Sequence, residues 1–382
     1  MERIEGLPLA APPAVEGTTG TAAAASRPAS VGTALTVIVP ATNEPPTLGR
    51  CLQAIREADE PPERLLVVTD PPLAGPAFAR NTAAAMATED VLVFVDADVL
   101  VRPDAFRRMR ERLDADPGLA AVFGSYDDEP EDLSLVSRFR NLLHHHVHHE
   151  AAGPVATFWA GLGAVRRDAF FSVAGFDDER FAVPSVEDID LGMRLSAAGH
   201  RIDLDPSIQG KHLKRWTLRS MLRTDFAHRG VPWTALMTLK RSPDKHLNLG
   251  WSHRVSALLS VLASGAALVA LAAVLLTALA PAAVAAAVAT GSVLGLARVN
   301  SRLVWLLATK STALAVVGLG LLMLHYLAAA ASILPGIALG MRWRRIDADR
   351  PPRAAAEVLA APDLMGTFTL ATAKVNVAGD DA

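Results

Sequence analysis

The chain has 382 residues, enough for a substantial core, with 37 Lys and Arg against 40 Asp and Glu. A formal net charge of −3 removes bulk electrostatic attraction as a reason to expect nucleic-acid binding. A single cysteine, Cys51, excludes an intramolecular disulfide and reads as a small buried hydrophobe on a helix.

In chain order, residues 1–33 form a head rich in Ala, Pro, Gly, Ser and Thr, expected to be disordered and without a signal peptide. Residues 34–240 then alternate. "LTVIVP" at 35–40 is a short buried strand stopped by proline. Residues 47–58 have helical spacing, with Leu48, Cys51, Leu52 and Ile55 on one face. "RLLVVTD" at 64–70 is a second strand and 77–87 a helix. "VLVFVDAD" at 91–98 is a third strand, and 103–116 a helix that opens on proline. "LAAVFGS" at 119–125 is a fourth strand. Apolar strands alternating with helices predict an α/β fold with a mainly parallel sheet flanked by helices. Such sheets bind ligands at the carboxyl ends of their strands, where Asp70, Asp96 and Asp98 fall.

From residue 241 to 345 the composition changes. Residues 255–280 carry no charge and are long enough to cross a bilayer, which takes roughly 20 residues. Residues 282–297 are shorter and Ala-rich, and 312–334 are again uncharged. Three hydrophobic segments are therefore expected, followed by a tail at 346–382. Basic residues flank both ends of the set: Lys240, Arg241, Lys245 and Arg254 before, Arg342, Arg344 and Arg345 after. That favours an even number of crossings and stands in tension with a count of three.

Two carboxylates one residue apart at a strand tip suit a hard divalent cation, Mg2+ or Mn2+, which takes carboxylate and phosphate oxygens together. An aspartyl-phosphate phosphatase uses a similar pair, but Leu100 stands where it needs a Thr. "HHHVHHE" at 144–150 sets His144/His148 and His145/His149 four residues apart, a spacing open to zinc. No cysteine or paired acid lies near in sequence to complete such a site, so it reads as a polar helix near the crevice or the membrane.

The motifs together resemble a membrane-anchored family 2 glycosyltransferase with the GT-A fold. "VIVPATNEPPTLGRCLQAI" resembles that family's opening strand, turn and helix, and "VVTD" its second strand. "ARN" at 79–81, the D-x-D at 96–98, "FWAGLGAVRRDAFFSVAGFDDE" at 158–179 and "SVEDIDLGMRL" at 185–195 follow in the family's order. The resemblance implies a nucleotide pocket lined by Pro40, Glu44, Asp70, Arg80 and Asp96. It implies a metal on Asp98 with Asp96 and a general base at Asp188. Trp159 and Glu187 would lie on the acceptor side.

"KHLKRWT" at 211–217 is similar to the Q-x-x-R-W of processive members, with His212 in the Gln position. By that likeness His212 would complete the metal shell, Arg215 would brace the diphosphate and Trp216 would stack on an acceptor. The expected reaction is inverting transfer of a sugar from a nucleoside diphosphate sugar, UDP- or GDP-linked, to a lipid or lipid-linked acceptor. The catalytic domain would face the cytoplasm at the inner membrane, and no nucleic acid would be bound. A polysaccharide synthase subunit and a non-catalytic nucleotide-sugar binding protein are the alternatives.

Overall fold

The computed structural model describes residues 32–69, 71, 74–240, 250–348 and 370–373. The expectations for the head, for Asp70 and for most of the tail fall outside these residues.

Among the described residues, nine strands form one sheet. They are β1 (Leu35–Pro40), β2 (Arg64–Val68), β3 (Val91–Val95), β4 (Val99–Val101), β5 (Leu119–Tyr126), β6 (Gly153–Val155), β7 (Leu162–Arg166), β8 (Arg201–His212) and β9 (Leu370–Ala373). The order is β4-β8-β5-β7-β3-β1-β2-β9, with β6 also on β8. The α/β architecture with flanking helices is as expected, but its pairing is mixed. β1 runs parallel to β2 and β3, and β5 parallel to β8. Between them β7 is inserted antiparallel to both β3 and β5. β7 comes from the segment after residue 158. Gly163 and Ala164 blunt the strand pattern that the parallel strands show plainly.

The parallel strands are apolar on both faces because helices cover both. β3 is buried throughout, and Phe94 packs edge-on against Phe158 and Phe176. Helix Leu48–Arg56 buries Cys51 and Ile55, and helix Pro76–Met86 starts on proline, whose missing N–H costs nothing at that position.

Since β7 is antiparallel to both β3 and β5, those two strands share a direction, and so does β8. Their carboxyl ends deliver Asp96, Tyr126 and His212 to one edge. The helix Leu135–Glu150 packs on β5. A second apolar cluster joins Phe139, Leu142 and Trp216 to Leu303, Leu307, Leu314, Leu322 and Tyr326.

Helices Trp251–Leu275, Leu279–Val299 and 312–348 are long and apolar enough to cross a membrane. The short helix Ser301–Lys310 connects the second to the third.

Candidate active site

The D-x-D loop is held by its backbone. The Asp96 N–H donates to the Gly161 carbonyl at 3.1 Å, and the Leu213 N–H to the Asp98 carbonyl at 2.8 Å. The Thr47 hydroxyl donates to the Ala97 carbonyl at 2.8 Å. Three separate segments therefore fix the direction of the two carboxylates. Gly161 is required here: a Cβ would fall 2.4 Å from the Trp159 indole.

Asp98 faces His212, with Nε2 3.6 Å from Oδ2. Burial would raise the Asp98 carboxyl, but His212 and Lys214 hold it below the usual carboxylate range. It is thus ionised and ready to ligate. His212 is buried, and its ring stacks on Tyr126 with centroids 4.1 Å apart and planes 10° apart.

Arg80 is the hub. Its Nη2 lies 2.7 Å from Asp96 Oδ1 and its Nη1 3.0 Å from Glu187 Oε1. The guanidinium, only 4% exposed, also lies over the Phe176 ring. The next residue works structurally. The Asn81 amide donates to the Phe176 carbonyl and to Asp178, and its oxygen accepts from the Phe176 N–H at 2.9 Å. It thereby clamps the turn in which Gly175 adopts φ +59°.

Helix Glu187–Ala197 opens on the acidic pair. Glu187 is buried against Arg80 and accepts from the Ser185 N–H at 2.9 Å. Asp188 accepts from the Ala160 N–H at 3.3 Å and the Ile189 N–H at 2.8 Å. The N-cap position is Val186, so Asp188 lies inside the first turn. Burial, then the neighbouring Glu187 charge, push its carboxyl up to about 7. A carboxylate poised there can take a proton near neutral pH.

Of the other expected site residues, Pro40 ends β1 at the same edge of the sheet. Glu44 holds a left-handed backbone, φ 44°, which is strained for a non-glycine residue. Trp159 is buried against Tyr126, His144 and His148.

One placement differs from its expected role, and a second residue is open to solvent. Trp216, expected to stack on an acceptor, is 5% exposed within the second cluster, with Arg140 and Lys214 over its ring. Its flanking residues put it in the groove under helix Leu135–Glu150, where apolar burial competes with exposure. Arg215, expected to brace a diphosphate, has its side chain 79% exposed, with Nε 3.6 Å from Asp132.

The histidine run packs against the carboxyl end of β5. His145 donates from Nδ1 to the Tyr126 carbonyl at 2.8 Å and His148 to the Gly124 carbonyl at 2.9 Å. Burial draws His148 down to about 3, so it is neutral. His144 lies between Tyr126 and Trp159. Tyr126 is the residue that sequence reasoning missed. Its position at a strand carboxyl end was the available signal.

Among the described residues, no cluster of three or more His, Cys, Asp or Glu could enclose a metal by itself. Asp98 and His212, with Asp96 two residues before Asp98, fit a cation that draws its remaining ligands from substrate phosphates, as Mg2+ commonly does.

A "Glycosyl transferase family 2" profile matches residues 72–172. The chain is 30% identical over 185 residues to the pre-mycofactocin glycosyltransferase of Mycobacterium tuberculosis, in strains CDC 1551 and H37Rv. That match covers 47% of this chain and 38% of the relative, so the chain spans well under half the relative's length. Among solved structures, it is similar to the mannosyltransferase PcManGT of Pyrobaculum calidifontis, in complex with GDP-Man and Mn2+. Identity is 22%, covering 79% of this chain and 87% of that one, with a TM-score of 0.47. GalNAc-T7 with UDP, GalNAc and Mn2+ aligns at 13% identity over 56% of this chain and 52% of that one, with a TM-score of 0.38.

Proposed function

We propose that this chain, whose residues 72–172 carry a glycosyltransferase family 2 domain, transfers a sugar from a UDP- or GDP-linked donor to a hydroxyl of a lipid or lipid-linked acceptor, with inversion. The reaction would take place at the cytoplasmic face of the inner membrane. The observation that carries this reading is the meeting of Asp96, Asp98, His212 and the E-D pair around Arg80 at one sheet edge.

The chemistry follows from the residues. An acceptor hydroxyl is a poor nucleophile near neutral pH, and Asp188 takes its proton as it attacks the anomeric carbon. The Ala160 N–H orients that carboxylate. Glu187 is committed to Arg80 and the Ser185 N–H, which leaves it unsuited to act as a covalent nucleophile. That supports single displacement. Asp96, held by Arg80, would meet the ribose or the metal. Asp98 and His212 would hold a divalent cation, which when bound supplies positive charge to the leaving diphosphate. The reading of Trp159 as an acceptor-side residue is supported by its neighbour Ala160, whose N–H reaches Asp188. Three apolar helices support a membrane-held acceptor.

A second acceptor is favoured by the 30% identity to pre-mycofactocin glycosyltransferase, whose name specifies pre-mycofactocin. The test uses the full chain in detergent with Mn2+ and a panel of UDP- and GDP-sugars. Lipid extract is supplied in one arm and pre-mycofactocin in the other, with mass spectrometry of the products. A hexose or N-acetylhexosamine added to a lipid supports the first reading, and one added to pre-mycofactocin supports the second. Donor binding without nucleoside diphosphate release or transfer in any arm overturns the enzymatic reading.

A further inference from the structure

Helix Thr312–Ala331 runs, through a single residue at Ser332, into helix Ile333–Ala348. Together they span 37 residues, about 55 Å at 1.5 Å per residue. One stripe is buried along nearly the whole length: Leu314, Gly318, Leu322, Tyr326, Gly336 and Gly340. Helices Trp251–Leu275 and Ser301–Lys310 share in covering the first half, through His253 at Tyr326 and Leu307 at Gly318, and the part of the chain before residue 241 covers the rest. Just ahead of the helix, Lys310 Nζ lies 2.5 Å from Asp128. Gly318 faces Leu307 and Phe139, and His325 Nδ1 lies 2.9 Å from Asp225 Oδ2. Gly336 meets Thr234, Gly340 meets Ala235, and Asp347 pairs with Arg180.

A helix that crosses a bilayer puts its two ends on opposite sides of about 30 Å of hydrocarbon. Here both ends hold the same domain, through Asp128 at one and Arg180 at the other. Crossing at 312–334 would also carry the Asp225–Arg140 ion pair, 2.9 Å apart beside His325, to the middle of the bilayer. Ionised side chains at that depth are strongly disfavoured. The opposite face is apolar and open, with Val316 71%, Leu334 78% and Met341 50% exposed. Arg342 and Arg345 follow, suited to anionic headgroups, while Arg344 donates to the Thr238 carbonyl on the domain side.

We propose that helices Thr312–Ala331 and Ile333–Ala348 lie in the plane of the membrane surface, with their open face in the headgroup–acyl boundary and the catalytic domain seated on their other face. Crossing is left to the hairpin Trp251–Leu275 and Leu279–Val299, whose paired ends are tied by Asn300 to Ser256 at 2.9 Å. Two crossings place both basic flanks on one side. Seated on the other face of the in-plane helix, the catalytic domain would lie beside the leaflet that holds the acceptor.

This inference rests on the membrane placement given above, and the test separates the two. The full chain with Cys51→Ala is reconstituted in vesicles of phosphatidylglycerol and phosphatidylcholine. Single cysteines at Val316, Gly320, Leu334 and Leu268 carry spin labels, and their depth is read by relaxation with oxygen and a water-soluble nickel chelate. Labels at 316, 320 and 334 are expected at one shallow depth, and 268 deep in hydrocarbon. A label at 320 as deep as 268, with 316 and 334 shallow, overturns the in-plane helix alone. A label at 268 open to the nickel chelate overturns the membrane placement and this proposal with it. In intact cells, cysteines at Glu111 and Ile346 are expected to be shielded alike from an impermeant maleimide. Labelling at 346 but not at 111 overturns the proposal.

Discussion

Arg80 and Glu187, 107 residues apart in the chain, meet at 3.0 Å with both side chains buried. The same guanidinium reaches Asp96 at 2.7 Å. One side chain therefore sets the distance between the acid pair at the tip of β3 and the acid pair at the start of helix Glu187–Ala197. Replacing Arg80 by Met leaves the Glu187 carboxylate buried without its counter-charge. Breaking a buried pair in this way costs about 3–5 kcal/mol. A fall in the thermal midpoint is expected, and Arg80→Lys should restore charge but not the two-pronged geometry, leaving donor KM raised. Wild-type melting and KM in both variants would show that Arg80 is not the hub.

Asp188→Asn keeps shape and removes the base. Donor binding should persist by calorimetry while kcat falls by about 10²–10⁴-fold. Near wild-type turnover would reduce Asp188 to a residue that merely occupies a helix's first turn.

The pH profile carries the same assignment. Asp188 is raised to about 7, and a general base works only when deprotonated. kcat/KM, which reports the free enzyme, should therefore be full above pH 7 and fall tenfold per unit well below it. In Asp188→Asn that acid limb should vanish from the residual rate. A limb that survives unchanged belongs to another group.

Asp98→Ala and His212→Ala should each weaken Mn2+-dependent binding of the nucleoside diphosphate, the first more than the second, since a carboxylate brings charge as well as a lone pair. Calorimetry with Mn2+ and with EDTA measures this. Equal affinity in both, in the unaltered chain, would remove the metal from the site.

Gly161→Ala forces a Cβ to within 2.4 Å of the Trp159 ring. Either the indole moves or the loop that positions Asp96 and Asp188 does. Loss of about 1–3 kcal/mol of stability is expected, the range for overpacking a close-packed site. Chemical denaturation checks it, and an unaltered midpoint would mean the loop adapts freely.

The sequence alone determined what local chemistry can write. β3 is readable because an apolar run buried on both faces must end where the chain meets water, and Asp96 and Asp98 mark that point. The hydrophobic segments are readable for a similar reason, since each residue contributes its own transfer free energy. The tertiary structure decided which groups from distant segments meet. Nothing near Arg80 in sequence names Glu187 as its partner, and Tyr126 under His212 follows from strand order, not from pattern. Trp216 shows the limit from the other side: an amphipathic ring suits an acceptor platform or a core equally, and only the packing of helix Leu135–Glu150 over it chose the core. The same holds for residues 312–348. Hydropathy records how much a helix gains by leaving water, but whether lipid or the chain's own catalytic domain covers a given face depends on contacts made some 100 or more residues away, as between His325 and Asp225.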